Sequence, residues 1–289
     1  MQYNLDPLLS RYRPVTAGDY ENALKEIVQE LALLGLWRSK FFEHAAFYGG
    51  TALRIFHGLQ RFSEDLDFSL MEARPAFRLD PHLSAVRDEL EAFGFHFEVE
   101  PKTKSAPGAI ESAFIKGGTR VNLLHIGLPA WLGERIPRLQ CVRVKLEIDT
   151  DPPPLAAYDV QTKLLPIPHQ VRLYDLPSLM AGKLHAVLCR KWKNRVKGRD
   201  WYDLIWYAAR NVPCHLPHLE ARMIQTGHMK DGRNLTPSHL KELLEDRIAA
   251  VDFTAAAADV RPFLADASEL DLWSADFFRE IAARVTLQS

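Results

Sequence analysis

The chain is 289 residues long, 47% hydrophobic and 25% charged, the balance of a soluble globular protein with enough length for one large or two ordinary domains. Its 36 basic and 37 acidic side chains leave a formal charge of -1, which argues against a wholesale polyanion binder but leaves room for a local basic patch. Cys141, Cys189 and Cys214 are odd in number and far apart, no signal-peptide core precedes the charges at Asp6, Arg11 and Arg13, and no uncharged apolar run could span a bilayer, so the expectation is a cytoplasmic protein without a disulfide framework or a membrane partner.

Thr16, with Asp19 three residues later, resembles a capping box, and Leu24, Ile27, Val28, Leu31 and Leu34 then keep helical spacing. A short apolar run from Ala45 ends in Gly49-Gly50, and Thr51 to His57 reads as a helix that Gly58 can terminate. Asp65 to Leu70 alternates with period two and predicts a strand. Leu83, Val86, Leu90 and Phe93 mark a further helix, followed by strand patterns at 95–99, 109–116, 121–126 and 142–149. In the last of these Val142, Val144, Leu146 and Ile148 face one way and Arg143, Lys145, Glu147 and Asp149 the other, as in a sheet with one packed and one working face. Asp151-Pro152-Pro153-Pro154 breaks the pattern, and helix starts follow at Asp175, Thr236 and Ser274. The expected fold is α+β: a mixed α/β part at 1–174 and a helical part at 175–289, with a cleft between them.

The densest chemical signal is Gly49-Gly50-Thr51 followed, fourteen residues after Thr51, by Asp65-x-Asp67. Carboxylates at i and i+2 of a strand point to the same side, where two like charges are unfavourable unless a cation lies between them. A divalent ion such as Mg²⁺ takes hard oxygen ligands and keeps positions open for phosphate. The glycines let backbone approach a ligand closely, and a helix starting there offers free N–H groups to an anion. Metal plus phosphate cradle suggests phosphoryl or nucleotidyl transfer.

Tyr48-Gly49-Gly50-Thr51-Ala52-Leu53-Arg54, then Arg61-Phe62-Ser63-Glu64-Asp65-Leu66-Asp67-Phe68, resembles the nucleotidyltransferase toxins of the AbiEii/AbiGii type, within the DNA polymerase β-like nucleotidyltransferase superfamily. Lys183-Leu184-His185-Ala186 and Lys197-Gly198-Arg199-Asp200-Trp201-Tyr202-Asp203-Leu204 resemble that family's distal motif. The resemblance implies a nucleotidyltransferase-type mixed sheet with flanking helices, then a helical domain. It implies that Gly49, Gly50 and Thr51 hold a triphosphate and that Asp65 and Asp67 bind Mg²⁺ (or Mn²⁺) with a third carboxylate, Glu147 or Asp149. Lys183 would neutralise the β- and γ-phosphates of the NTP, and Asp200 and Asp203 would position a base, a metal-bound water or the helical part itself. The superfamily usually writes Gly-Ser in the phosphate turn, where this chain has Gly-Gly-Thr.

Lys183 lies beside an apolar stripe of Met180, Leu184, Val187 and Leu188, where its ammonium must reach an anion or the surface. Asp200 and Asp203 also suit a helix cap and a first-turn charge. Arg54 and Arg61 could reach phosphates or base, or pair with Glu64 or Asp65, and Ser63 stands at a position where a phosphate would repel a triphosphate. From Lys183 to Arg199 run seven basic residues and no acid: Lys183, Arg190, Lys191, Lys193, Arg195, Lys197 and Arg199, with Trp192 interleaved. That patch suits an RNA backbone with one stacking aromatic, or simply a solvated helix face. Cys214-His215-x-x-His218 has only half of a zinc pattern.

These readings combine into a metal-dependent enzyme that moves NMP from an NTP to an acceptor hydroxyl. The acceptor suggested by the resemblance and the basic stretch is the 3′ end of tRNA. The role is then the toxin of a toxin–antitoxin or phage-defence pair, with a cognate antitoxin as partner. The alternatives are a small-molecule or protein acceptor, or a non-catalytic nucleotide- or RNA-binding regulator of the same fold.

Overall fold

The computed structural model describes residues 5–102, 108–191 and 196–288. The chain divides into two units. The first comprises Met1–Thr51, Glu64–Pro152 and Val160–Leu173, the second Ala52–Ser63, Pro153–Asp159 and Tyr174–Ser289. Among the described residues, no helix is long and apolar enough to cross a membrane.

The first unit opens with α1 (Asp6–Leu9) and α2 (Ala17–Arg38). The Thr16 hydroxyl accepts from Asp19 N, and the Asp19 carboxylate accepts from Thr16 N at 2.8 Å, so the capping box closes in both directions. From Ala23 onward α2 is buried almost all round, with Leu24, Ile27, Val28 and Leu31 inaccessible. Each such side chain contributes roughly 1.5–3 kcal/mol, several times an exposed ion pair, so α2 is the axis of this core. Strand β1 (Ala45–Tyr48) leads into α3 (Gly49–His57), then come β2 (Asp65–Leu70) and α4 (Asp80–Ala92). Gly35 lets α2 cross α4 closely: a Cβ there would stand 2.6 Å from Val86 Cα.

The sheet continues through β3 (Glu98–Pro101) and β4 (Ile110–Gly118). After the short helices α5 (Thr119–His125) and α6 (Ala130–Gly133) come β5 (Cys141–Asp149), β6 (Tyr158–Lys163) and β7 (His169–Tyr174). The strand order is β3-β4-β5-β2-β1-β7-β6, with β2 antiparallel to β1 and parallel to β5. The result is the expected mixed sheet with flanking helices. The segment 121–126, expected as a strand, lies in α5 instead. Thr119, Asn122, Leu123 and Ile126 point inward at helical spacing while Val121 and Leu124 face solvent, and Asn122 Nδ2 donates to Gly118 O at 2.9 Å. A short apolar run suits either period, and its packing here follows 3.6.

The second unit is mostly helical: α7 (Leu176–Cys189), α8 (Gly198–Ala209), α9 (Leu216–Gln225), α10 (Pro237–Ala249), α11 (Phe253–Val260) and α12 (Ala275–Ala283), with β8 (Cys214–His215) paired parallel to β9 (Leu287–Gln288). Asp175, Thr236 and Ser274 cap α7, α10 and α12, as their sequence positions suggest. Helix α8 starts hard against α11. Gly198 N donates to Asp259 Oδ2 at 3.0 Å, and a Cβ on Gly198 would land in the carbonyl oxygen of Ala256. Trp201 packs edge-on against Phe253 and Phe278, which stack at 4.4 Å.

Candidate active site

In the first unit, β2 and β5 pair in a register that sets Asp65 opposite Lys145, Asp67 opposite Glu147 and Ser69 opposite Asp149. The intervening Leu66, Phe68, Leu146 and Ile148 are fully buried, so the period-two pattern sends the charged residues together to the other face. Lys145 Nζ pairs with Glu147 at 2.6 Å. Across this register Asp65, Asp67 and Glu147 share one face with Lys145, a set of hard oxygen donors suited to a divalent cation. Asp149 takes another task at the strand end, where its carboxylate accepts from Asp151 N at 3.0 Å.

The Gly49-Gly50 turn adjoins this face. Gly49 has φ +82, and a Cβ there would meet Asp67 Oδ2 at 2.7 Å, so conformation and space both call for glycine. Tyr48, the residue before it, is Asp67's register partner on β1. Thr51 is fully buried and its hydroxyl donates to the carbonyl oxygen of Asp65. Helix α3 and the start of β2 are therefore tied at the residue that opens the Asp-x-Asp pair. The half-buried carboxylates beside a glycine-lined turn fit a hard divalent cation with a phosphate ligand.

In the second unit the expected basic and acidic residues neutralise one another. Arg61 Nε and Nη2 donate to Asp203 Oδ1 and Oδ2 at 2.6 and 2.7 Å, with Arg61 3% and Asp203 0% exposed. Lys183 Nζ lies 2.8 Å from both Asp200 Oδ1 and Asp203 Oδ2, so the ammonium beside the apolar stripe does find its anions. Arg190 approaches Asp200 at 3.5 Å. Burial by itself would lower the Lys183 pKa, but Asp200 and Asp203 more than reverse this and hold it above the ordinary lysine value. Burial likewise works to raise Asp203, yet Arg61 and Lys183 keep it below the ordinary carboxylate value. Asp200 sits in the first turn of α8, where Lys197 holds the N-cap position.

Arg61 thus pairs with Asp203, a partner 142 residues away that spacing cannot reveal, and not with Glu64 or Asp65. Arg54 holds the turn that follows α3: its Nη1 donates to Leu59 O and Gln60 O, and its guanidinium lies over Phe62 at 4.5 Å. Ser63 closes the same segment, half-buried. Of the basic stretch, Arg190 and Lys191 are exposed, Lys197 is half-buried and Arg199 lies over Phe263 at 4.3 Å. Trp192, Lys193 and Arg195 lie outside the described residues. The Cys214-His215-x-x-His218 set is otherwise engaged: His215 Nδ1 accepts from His218 N, and His218 Nδ1 donates to Pro154 O at 2.7 Å.

No curated protein matches the chain. Two crystal structures are similar at low identity. A proposed nucleotidyltransferase from H. pylori aligns at 17% identity and TM-score 0.45, and JHP933 from Helicobacter pylori at 18% and 0.49, each over 90% of this chain and 89% of the other. The family described as "Nucleotidyl transferase AbiEii toxin, Type IV TA system" matches residues 31–281, from the buried axis of α2 through both charge clusters to α12. With the match spanning most of its length, the chain belongs to the AbiEii nucleotidyltransferase toxin family and is a nucleotidyltransferase of toxin type.

Proposed function

We propose that the chain transfers NMP from an NTP to the 3′ end of tRNA with Mg²⁺ or Mn²⁺, and that a cognate antitoxin restrains it. The observation that carries the chemistry is the β2–β5 register, which brings Asp65, Asp67 and Glu147 onto one face beside Gly49. These three carboxylates are the ligand set. The register favours Glu147 over Asp149, because Glu147 lies opposite Asp67 and Asp149 serves the turn at Asp151. A divalent ion bound there supplies Lewis-acid activation of a hydroxyl and screens phosphate charge.

The residues of the chain do the rest. The backbone at Gly49 and Gly50 receives the triphosphate, and Thr51 fixes the carbonyl of Asp65 so that the first carboxylate does not drift. The acceptor 3′-oxygen forms a bond to the α-phosphorus, the bond from that phosphorus to the bridging oxygen breaks, and pyrophosphate leaves. Asp200 and Asp203 keep Lys183 charged, as the role that the family resemblance gives it toward the leaving phosphates requires. Arg61 and Asp203 act as positioning residues, whereas Arg190, Lys191, Lys197 and Arg199 suit the acceptor's backbone.

The test is label transfer from each NTP, marked at the α-phosphate, to purified total tRNA with Mg²⁺. Label on tRNA from the wild type and none from Asp65→Ala supports the reading and names the nucleotide. A folded wild type that releases pyrophosphate without labelling tRNA would replace tRNA by another acceptor. One that releases none with any NTP would remove the catalytic reading of this face.

A further inference from the structure

The helical unit holds a nitrogen–sulfur cluster that the transfer chemistry does not use. His185 and Cys189 stand at i and i+4 on α7, which puts them on one face a turn apart, and His228 reaches them from the turn after α9. One ligand atom from each of the three residues lies within 4.8 Å of the other two. We propose that His185, Cys189 and His228 form a second metal site, for a borderline-soft divalent cation of the Zn²⁺ class, with a fourth position open to water or a further ligand.

Two imidazoles and one thiolate are the donors that select such an ion, whereas the carboxylates of β2 and β5 select Mg²⁺, so one chain can carry both without exchange. Zn–N and Zn–S bonds of about 2.1 and 2.3 Å bring tetrahedral donors closer together than the present limit. The required closure is on the order of 1 Å, and His228 can supply it because it is exposed and lies in a turn beside Gly227.

Thr226 serves as the outer partner. Its hydroxyl donates to Arg222 O at 2.8 Å and lies 2.9 Å from His185 Nε2 and from His228 Nδ1. A hydroxyl that contacts both rings holds the two imidazoles together beside Cys189.

Arg222, Arg190 and Arg247 oppose a cation here, and the Cys189 thiolate formed on binding offsets one of those charges. Cys189 is the last residue of α7, at the negative end of the helix dipole. Arg247 is committed to backbone, donating to Val187 O at 2.8 Å and Arg190 O at 2.6 Å. Binding replaces the Cys189 Sγ–H bond by a sulfur–metal bond, releases one proton to solvent and leaves both imidazoles neutral. The ion then joins the helix that carries Lys183 to the α9–α10 connection.

The experiment titrates Co²⁺, the spectroscopic stand-in for Zn²⁺, into the metal-stripped full chain with excess Mg²⁺ present. The expected result is a thiolate-to-cobalt charge-transfer absorption that saturates at one equivalent and is displaced by Zn²⁺. It should persist in Cys141→Ser and Asp67→Asn, vanish in Cys189→Ser, and require at least the roughly 10–100-fold more Co²⁺ that even an outer-shell partner is worth in His228→Ala. A folded wild type without that absorption overturns the site, as does an absorption that survives Cys189→Ser. If Cys189→Ser fails to fold, the exposed His228→Ala decides, and an unchanged affinity there overturns the proposal equally.

Discussion

On the β2–β5 face, Asp65, Asp67 and Glu147 stand side by side, half-buried, with Lys145 paired to Glu147. In the helical unit, Arg61 and Lys183 meet Asp200 and Asp203 almost wholly out of water, with the exposed Arg190 also approaching Asp200. Both clusters lie within the span that the family matches, yet their electrostatics differ in kind. Like charges on an accessible face raise the free energy of the protein alone and lower it once a cation arrives. Opposite charges in a dry interior complete one another and hold elements in register. Substitutions in the first cluster should remove activity and leave stability, and those in the second should remove stability first.

The largest expected effect follows from breaking the balanced cluster. Asp203→Asn leaves the Arg61 guanidinium buried without its charge partner, which should destabilise the chain by about 3–5 kcal/mol in urea unfolding. Replacing both partners, Arg61→Met with Asp203→Leu, should recover most of that stability. The pH dependence has a definite sign. The folded pKa of Asp203 is depressed, so its stabilisation is present above the ordinary carboxylate value of 3.8 and lost as pH falls through the lower folded value. A loss of this contribution near neutral pH would contradict the pairing.

Asp67→Asn should do the reverse. Removing one of the adjacent like charges should leave the thermal midpoint unchanged or raised, while NMP transfer falls roughly 10²–10³-fold. A melting temperature that drops alongside the rate would make Asp67 a structural residue and erase the contrast between the clusters. Gly49→Ala probes the same face through backbone. The positive φ and the approach to Asp67 should cost about 1–2 kcal/mol, with transfer falling further than stability because the new methyl displaces the carboxylate proposed to bind the metal.

The contrast was only half legible in the amino-acid order. Asp65, Asp67 and Glu147 sit on strands whose alternation is strong, so the face each takes on its own strand follows from period two, while the β2–β5 pairing that brings them together does not. The caps at Thr16, Asp175, Thr236 and Ser274 were equally plain, because an N-cap is written within four residues. Strand β6 was not legible: it is the last strand of the sheet and exposes Val160 among polar neighbours, so it shows no apolar face to read. The Arg61–Asp203 pair and the His185–Cys189–His228 cluster depend on folding distant segments together, and no spacing rule reaches across them.

Thr51 gives the smallest effect and the finest division between the two kinds of cluster. The superfamily resemblance makes its hydroxyl a phosphate donor, whereas in the fold that hydroxyl is buried and already donates to Asp65 O. One hydrogen cannot serve both acceptors. If positioning is its task, Thr51→Ser keeps full activity, and Thr51→Val loses about 1 kcal/mol of stability, the worth of one buried hydrogen bond. Transfer by Thr51→Val should then slow about fivefold in kcat with KM for the NTP unchanged, since the carboxylate is less well held while the phosphate contacts survive. A rise in KM at constant kcat would instead return the hydroxyl to the triphosphate. It would also show that the Asp65 contact opens when nucleotide binds, making Thr51 part of the ligand-dependent cluster and not of the self-sufficient one.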